Sequence, residues 1–354
     1  MPEKMGIGII GCGQIGIEHA HAYMATGRAE IIGVCDINQQ RLDDLGNEVG
    51  STGRYKDYKD LLANPNVQAV SICVGTAWHR ETALAALAAG KHVLLEKPMA
   101  LDAIEAQEIR QAAQGAKGIL QIGMLYRYRP EVRVLREWAC DGCLGEIYHM
   151  RAVMVRRRGV PGLGGWFTTK RHSGGGPLID MGVHIFDLAM YISGHWNPTS
   201  VSAQTYSKFG PRMKDYKYVS MWAGPPKYDG RFDVEDYATG MVRFSDKVTL
   251  SFDLCWAANV RDESFVEILG EHAGARVLDG QPLRILTEHQ DRTADILPQY
   301  DHAETQWLVQ MEHFLAACRG EAPPVATAEQ GYIVMKTIDA IYASSKAGQE
   351  VAIR

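Results

Sequence analysis

Three ionisable side chains, Asp180, His184 and Asp187, follow directly on the run Ser173-Gly174-Gly175-Gly176-Pro177. Pro177 suits the first position of a helix, where its missing N–H has no partner to lose, and the glycines let backbone approach a ligand closely. A helix from Pro177 puts the three polar groups on one face. Leu178, Ile179, Ile185, Leu188 and Ile192 then fall largely on the other side, as the core face. A carboxylate beside an imidazole fixes the ring tautomer and raises its basicity, as a general base for an alcohol proton requires. The same residues could also form a helix whose His and Asp merely cap and pair.

A second constellation opens the chain. The buried-strand pattern Met5 to Ile10 ends in Gly11-Cys12-Gly13-Gln14-Ile15-Gly16, and Ile17 to Thr26 reads as a helix. A further strand, Glu30 to Cys35, ends in Asp36. Between a strand and a helix, this glycine spacing allows a tight turn and close approach of a pyrophosphate, whose charge meets the helix N-terminus. Asp36 is placed to take the ribose hydroxyls. Its carboxylate would repel a 2'-phosphate, and neither Ile37 nor Asn38 replaces it with positive charge, so NAD is expected over NADP.

The elements that position these groups alternate as in a doubly wound sheet. Helices are expected near Gln39 to Val49, Tyr58 to Ala63, Trp78 to Ala89 and Leu101 to Gln114, and strands at Ala69 to Val74, His92 to Leu95 and Ile119 to Met124. Lys97 follows the strand at 92–95, on the carboxyl edge where ligands bind in open α/β folds. The expected cofactor contacts are Gly11, Gly13, Gln14, Ile15, Gly16, Asp36, Ile37, Thr76, His79, Glu96 and Lys97.

After Arg127 the pattern changes to one helix through Cys140 and then long runs of period two: Tyr148 to Val155, Val201 to Tyr206, Tyr237 to Phe244 and Val248 to Trp256. Shorter runs at 265–269, 275–278 and 283–286 continue it. These read as a largely antiparallel open sheet. The expected fold is α/β plus α+β: a Rossmann domain over 1–125, onto which the helix at 328–346 packs back, and an α+β substrate-binding and oligomerisation domain over 126–327. The stretch 208–236, rich in Gly, Pro, Tyr and Trp, reads as a lid or subunit contact. Trp166, Tyr206, Trp222, Tyr228, Phe232 and Trp256 could stack on a pyranose, although packing is the commoner use of such aromatics.

Bulk properties narrow the function. The chain has 354 residues, 37 basic against 42 acidic side chains and a net charge of −5, with no long basic run for nucleic acid or an anionic membrane. No stretch has the pattern of a signal peptide or a membrane span. Seven scattered cysteines suit a reducing cytoplasm. The Cys140/Cys143 pair lacks the further ligands of a metal site, so no metal is expected.

The three motifs, Gly11 to Gly16, Glu96-Lys97-Pro98, and Gly174-Gly175-Gly176 with Asp180, His184 and Asp187, together resemble the glucose-fructose oxidoreductase, inositol dehydrogenase and rhizopine-catabolism (Gfo/Idh/MocA) family over nearly the whole chain. The resemblance implies an NAD-dependent dehydrogenase acting on a hydroxyl of a sugar or cyclic polyol. It implies that Lys97 contacts nicotinamide ribose and substrate, that His184 is the acid/base, and that Asp180 binds or orients the substrate. Tyr126, Arg127, Trp166, Asp187 and Arg171 would lie near substrate or cofactor. Tyr126 stands where the family often has a second arginine or an asparagine. A homodimer or homotetramer is expected. The alternatives are a redox-cycling, glycoside-cleaving NAD enzyme and a non-catalytic sugar or dinucleotide sensor.

Overall fold

A computed structural model describes residues 4–218, 221–301 and 303–354. The chain forms two compact units: Met1–Tyr128 with His302–Tyr332, and Arg129–Asp301 with Ile333–Arg354.

The first unit holds six parallel strands, β1 (Met5–Ile10), β2 (Ala29–Cys35), β3 (Gly53–Tyr55), β4 (Ala69–Ile72), β5 (His92–Glu96) and β6 (Leu120–Gly123). Their order is β3-β2-β1-β4-β5-β6. Every residue of β1 and β4 is buried, which explains why both read as unbroken apolar runs. The order reverses between β1 and β4, and a doubly wound sheet opens its ligand crevice at such a point, outside the carboxyl ends of the strands. The glycine turn after β1, residues 73–76 after β4 and Lys97 after β5 all follow carboxyl ends of these strands.

Helix Gln306–Cys318 belongs to this unit and not to the domain expected over 126–327. Its Met311, Phe314 and Leu315 are buried in one cluster with Ile7, Ile9, Tyr23 and Leu94. The helix supplies apolar cover that helix Gln14–Ala25 alone does not provide. The long helix Ala328–Ala347 contributes its first residues, to Tyr332, to this unit and the remainder to the second.

The second unit is built on nine strands: β7 (Ile147–Val155), β8 (Pro198–Tyr206), β9 (Tyr237–Phe244), β10 (Thr249–Cys255), β11 (Glu263–Gly270), β12 (Ala273–Val277), β13 (Arg284–His289), β14 (Arg292–Ile296) and β15 (Val351–Ala352). They lie in the order β14-β13-β12-β11-β7-β10-β9-β8-β15. Neighbours are antiparallel except β10 and β7, which run parallel. β14 and β15 escape the sequence pattern because they are short edge strands with no buried residue. Helix Val183–Ser193 packs on one face, against β7 and β11, and Phe186 meets Phe252 of β10 edge to face at 5.1 Å between ring centroids.

The stretch 208–236 is mostly irregular, with a short 3-10 segment at Gly210–Asp215; its residues 219 and 220 lie outside the described residues. Backbone bonds from Ala223 to Pro161 and from Lys227 to Leu163 knit it to the segment 161–164. No described helix is long and apolar enough to cross a membrane.

Candidate active site

The glycines of the first turn have three different reasons. Gly11 has φ +99°, and a Cβ on it would lie 2.6 Å from the Cys73 carbonyl oxygen. A Cβ on Gly16 would lie 2.0 Å from the Gly11 carbonyl oxygen, so this glycine closes the helix onto the strand. A Cβ on Gly13 would meet nothing within 4 Å, which leaves that face of the turn open to a ligand. The helix starts at Gln14, three residues before the expected Ile17, with Gly13 as its N-cap and no side chain capping it. Its first N–H groups therefore point from the open turn, the arrangement that binds a pyrophosphate.

Asp36 closes the turn from the other side. Its Oδ2 accepts from the Cys12 N–H at 2.9 Å and its Oδ1 from the Asn38 N–H at 2.7 Å, so backbone holds the carboxylate beside the glycines. Ile37 is 89% exposed and Gln14 and Ile15 are also at the surface. Lys56, which has no sequence motif to announce it, donates to the Ile37 carbonyl at 2.9 Å. These residues fit a dinucleotide: an open glycine turn, uncapped helix N–H groups and an anchored acid beside them.

The carboxyl edge at β4 and β5 is more buried. Thr76 is buried. His79, expected at the cofactor, is 1% exposed, with Nδ1 at 2.7 Å from the Pro98 carbonyl and Nε2 at 3.0 Å from that of Val74. Both ring nitrogens face backbone carbonyls, so the imidazole is wedged between the ends of β4 and β5. Lys97 is half-buried, and its N–H donates to Oε2 of Glu96 at 3.2 Å. Glu96 is buried, and its other oxygen meets His19 Nε2 at 3.2 Å. Tyr126 is half-buried. Arg127, expected at the substrate, is buried and uses Nη1 on the Val325 carbonyl and on Gln330 Oε1, which gives that amine a role in the fold.

In the second unit each residue of the triple glycine is needed. Gly174 has φ +85°; a Cβ on Gly175 would lie 2.0 Å from the Tyr342 hydroxyl, and one on Gly176 would lie 2.0 Å from the Glu235 carbonyl oxygen. Leu178–Gly182 then winds as a π-helix before the α-helix Val183–Ser193 begins. The expected regular helix is thus locally widened where it carries Asp180, as is frequent at functional sites. From Gly175 to Met190, only Asp180 and His184 are not buried. Asp187 is 1% exposed and does not share their open edge.

Two residues without a motif hold this segment. Glu235 is buried; its Oε1 accepts from the Gly176 N–H at 3.0 Å, the Leu178 N–H at 3.1 Å and the Tyr342 hydroxyl at 3.0 Å. Burial pushes its pKa above the ordinary glutamate value, and these donors oppose the shift. Trp256, considered above as a stacking platform, is fully buried, and its Nε1–H donates to Oδ2 of Asp180 at 3.1 Å. It orients the acid instead. Trp166 is 44% exposed and packs on Phe167, whose ring also meets Trp222. The adjacent Asp236 serves the long loop, accepting N–H groups from Lys208, Phe209 and Gly210.

The arrangement accords with known proteins. A family model described as oxidoreductase family, NAD-binding Rossmann fold, matches residues 5–124, and that of the GFO/IDH/MocA C-terminal domain matches residues 132–276. D-glucoside 3-dehydrogenase of Escherichia coli is 33% identical over 354 residues, covering 99% of this chain and 98% of its own. Glucose-6-phosphate 3-dehydrogenase of Bacillus subtilis is 28% identical over 281 residues, 78% of this chain and 75% of its own. A solved levoglucosan dehydrogenase, in complex with NADH and levoglucosan, shares the fold with a TM-score of 0.85 at 21% identity, covering 99% of this chain and all of its own. Both halves of the chain match, in order, and the chain belongs to the Gfo/Idh/MocA family of oxidoreductases.

Proposed function

We propose that the protein is an NAD-dependent dehydrogenase that oxidises a secondary hydroxyl of a sugar or cyclic polyol, with Lys97 and His184 acting on that hydroxyl. The observation that carries the reading is the segment 175–190, buried throughout except at Asp180 and His184, with Asp180 held by the Trp256 indole. Burying all else around an acid and an imidazole is what a base with a fixed orientation requires. The names of the relatives, which act on glucosides, glucose 6-phosphate and levoglucosan, support a pyranose substrate and make its C3 hydroxyl the first to test.

Bound NAD supplies the hydride acceptor. His184 takes the hydroxyl proton, Asp180 holds the substrate against it, and Lys97 stabilises the developing alkoxide with a positive charge worth more in a water-poor cleft than in bulk. The Asp36 carboxylate, fixed by two backbone N–H groups, supports NAD over NADP because a 2'-phosphate bound beside it would bring like charge. We also propose a cytoplasmic homodimer or homotetramer assembled through the sheet face opposite helix Val183–Ser193, which light scattering after size exclusion measures.

The test is NADH appearance with purified protein against inositols, aldoses and glycosides, beside the Lys97→Ala variant and repeated with NADP. Net reduction of NAD with one sugar, lost in the variant, is the expected result. Tight NAD binding with no reduction by any of them would overturn the dehydrogenase in favour of a redox-cycling glycosidase or a sensor, and product analysis of the glycosides would separate those two.

A further inference from the structure

The first unit contains a buried polar chain that none of the motifs explains. His19, on the helix that begins at the glycine turn, is 0% exposed. Its Nδ1 lies 3.1 Å from the Ser71 hydroxyl at the end of β4, and its Nε2 lies 3.2 Å from Oε1 of Glu96 at the end of β5. Ser71 Oγ is also 3.0 Å from the Tyr23 hydroxyl. The Trp307 ring meets the imidazole edge-on at 5.4 Å and fixes its plane.

The donors can be ordered. With Nε2–H donating to Glu96, the Nδ1 lone pair accepts from the Ser71 hydroxyl, with the Cys73 thiol 3.5 Å from the same nitrogen, and the Ser71 oxygen accepts from the Tyr23 hydroxyl. Each group has a partner, as a buried network must if it is to rigidify the fold. Glu96 is held from two further sides: its Oε2 takes the Lys97 N–H, and a Cβ on Gly123 would come within 2.3 Å of Oε1.

We propose that His19 is a positioning residue: it anchors the Glu96 carboxylate, and through it the backbone of Lys97, to the helix that carries the cofactor turn. The inference rests on the reading of Lys97 as the catalytic cation. A hydroxyl oxidation needs its cation in register with the cofactor, and a misplacement of about 1 Å can cost about 100-fold in rate. The network gives one rigid connection between the two.

The experiment compares His19→Leu, His19→Gln and Lys97→Ala, each normalised to the NAD-binding sites found by fluorescence titration. His19→Leu should bind NAD within about threefold of the parent yet lose at least tenfold in kcat, and His19→Gln, whose amide can donate to Glu96, should recover most of that loss. Parental kcat in His19→Leu beside an inactive Lys97→Ala overturns the proposal alone; parental kcat in Lys97→Ala overturns the reading beneath it. If the leucine variant does not fold, Ser71→Ala and Ser71→Thr decide. A severalfold lower kcat in the first, restored in the second, is expected, and equal kcat in both overturns the proposal.

Discussion

Glu235→Ala is the most informative single change in the second unit. It removes the acceptor for three donors at once, the N–H groups of Gly176 and Leu178 and the hydroxyl of Tyr342. A buried donor left without a partner costs about 1–3 kcal/mol, so three set a floor of about 3 kcal/mol, less what is regained by no longer burying a carboxylate. For a unit of this size each kcal/mol lowers Tm by about 2–4 °C. Glu235→Gln separates the charge from the hydrogen bonds, since an amide oxygen at the Oε1 position keeps all three donors; it should cost about 1 kcal/mol at neutral pH. The pH dependence has a definite sign. The folded-state pKa is raised from 4.5, with burial as the main cause, so this group's contribution is fully present below that value and is lost as pH rises through the raised folded value. The parent should therefore lose stability relative to Glu235→Gln across that window. Urea denaturation at a series of pH values measures both effects. A Glu235→Ala variant within 0.5 kcal/mol of the parent, or a parent-to-Gln difference flat in pH, would refute the reasoning.

His184→Ala should depress kcat at neutral pH and recover partly at high pH, where solvent can take the proton; a pH–rate profile parallel to the parent's removes the base role. Asp36→Asn, which keeps an acceptor for backbone but drops the charge, should move the NAD-to-NADP preference at least tenfold toward NADP in steady-state kinetics. Trp256→Phe keeps a buried ring but deletes the donor to Asp180, and kcat/KM should fall about tenfold, equivalent to about 1.4 kcal/mol, with Tm lowered by the void that the smaller ring leaves.

What the sequence reveals and what it hides follow from the range of the interactions. The glycine turn, Asp36 and the triple glycine are legible because their causes are local: a positive φ at Gly11 and Gly174, or a close approach at Gly16. Glu235 is invisible because its partners stand 57 and 107 residues away. For Trp256 and His79 the residue type alone does not name the partner: the indole donates to Asp180 and the imidazole nitrogens lie against two backbone carbonyls, contacts that only the folded chain shows. The π winding at Leu178–Gly182 is likewise absent from the apolar period, because it shifts the register of a segment in which every residue but Asp180 stays buried. Helix Gln306–Cys318 lies inside the residues expected for the second domain but packs in the first unit, since periodicity gives an element a face but not the core it covers.

The parallel pairing of β7 with β10 has a consequence for how the chain is made. Each residue of β7 from His149 onward waits for a partner one hundred positions later. At about 5–20 residues per second, ribosomal synthesis leaves that edge unpaired for roughly 5–20 s. Its other neighbour, β11, is made later still. The central strand of the sheet is therefore made first and paired only after a long wait, and during that interval the nascent chain presents Met150, Ala152 and Met154 unprotected. Arg151, which pairs with Glu267 in the finished sheet, is the charge on that strand that discourages premature association with another chain.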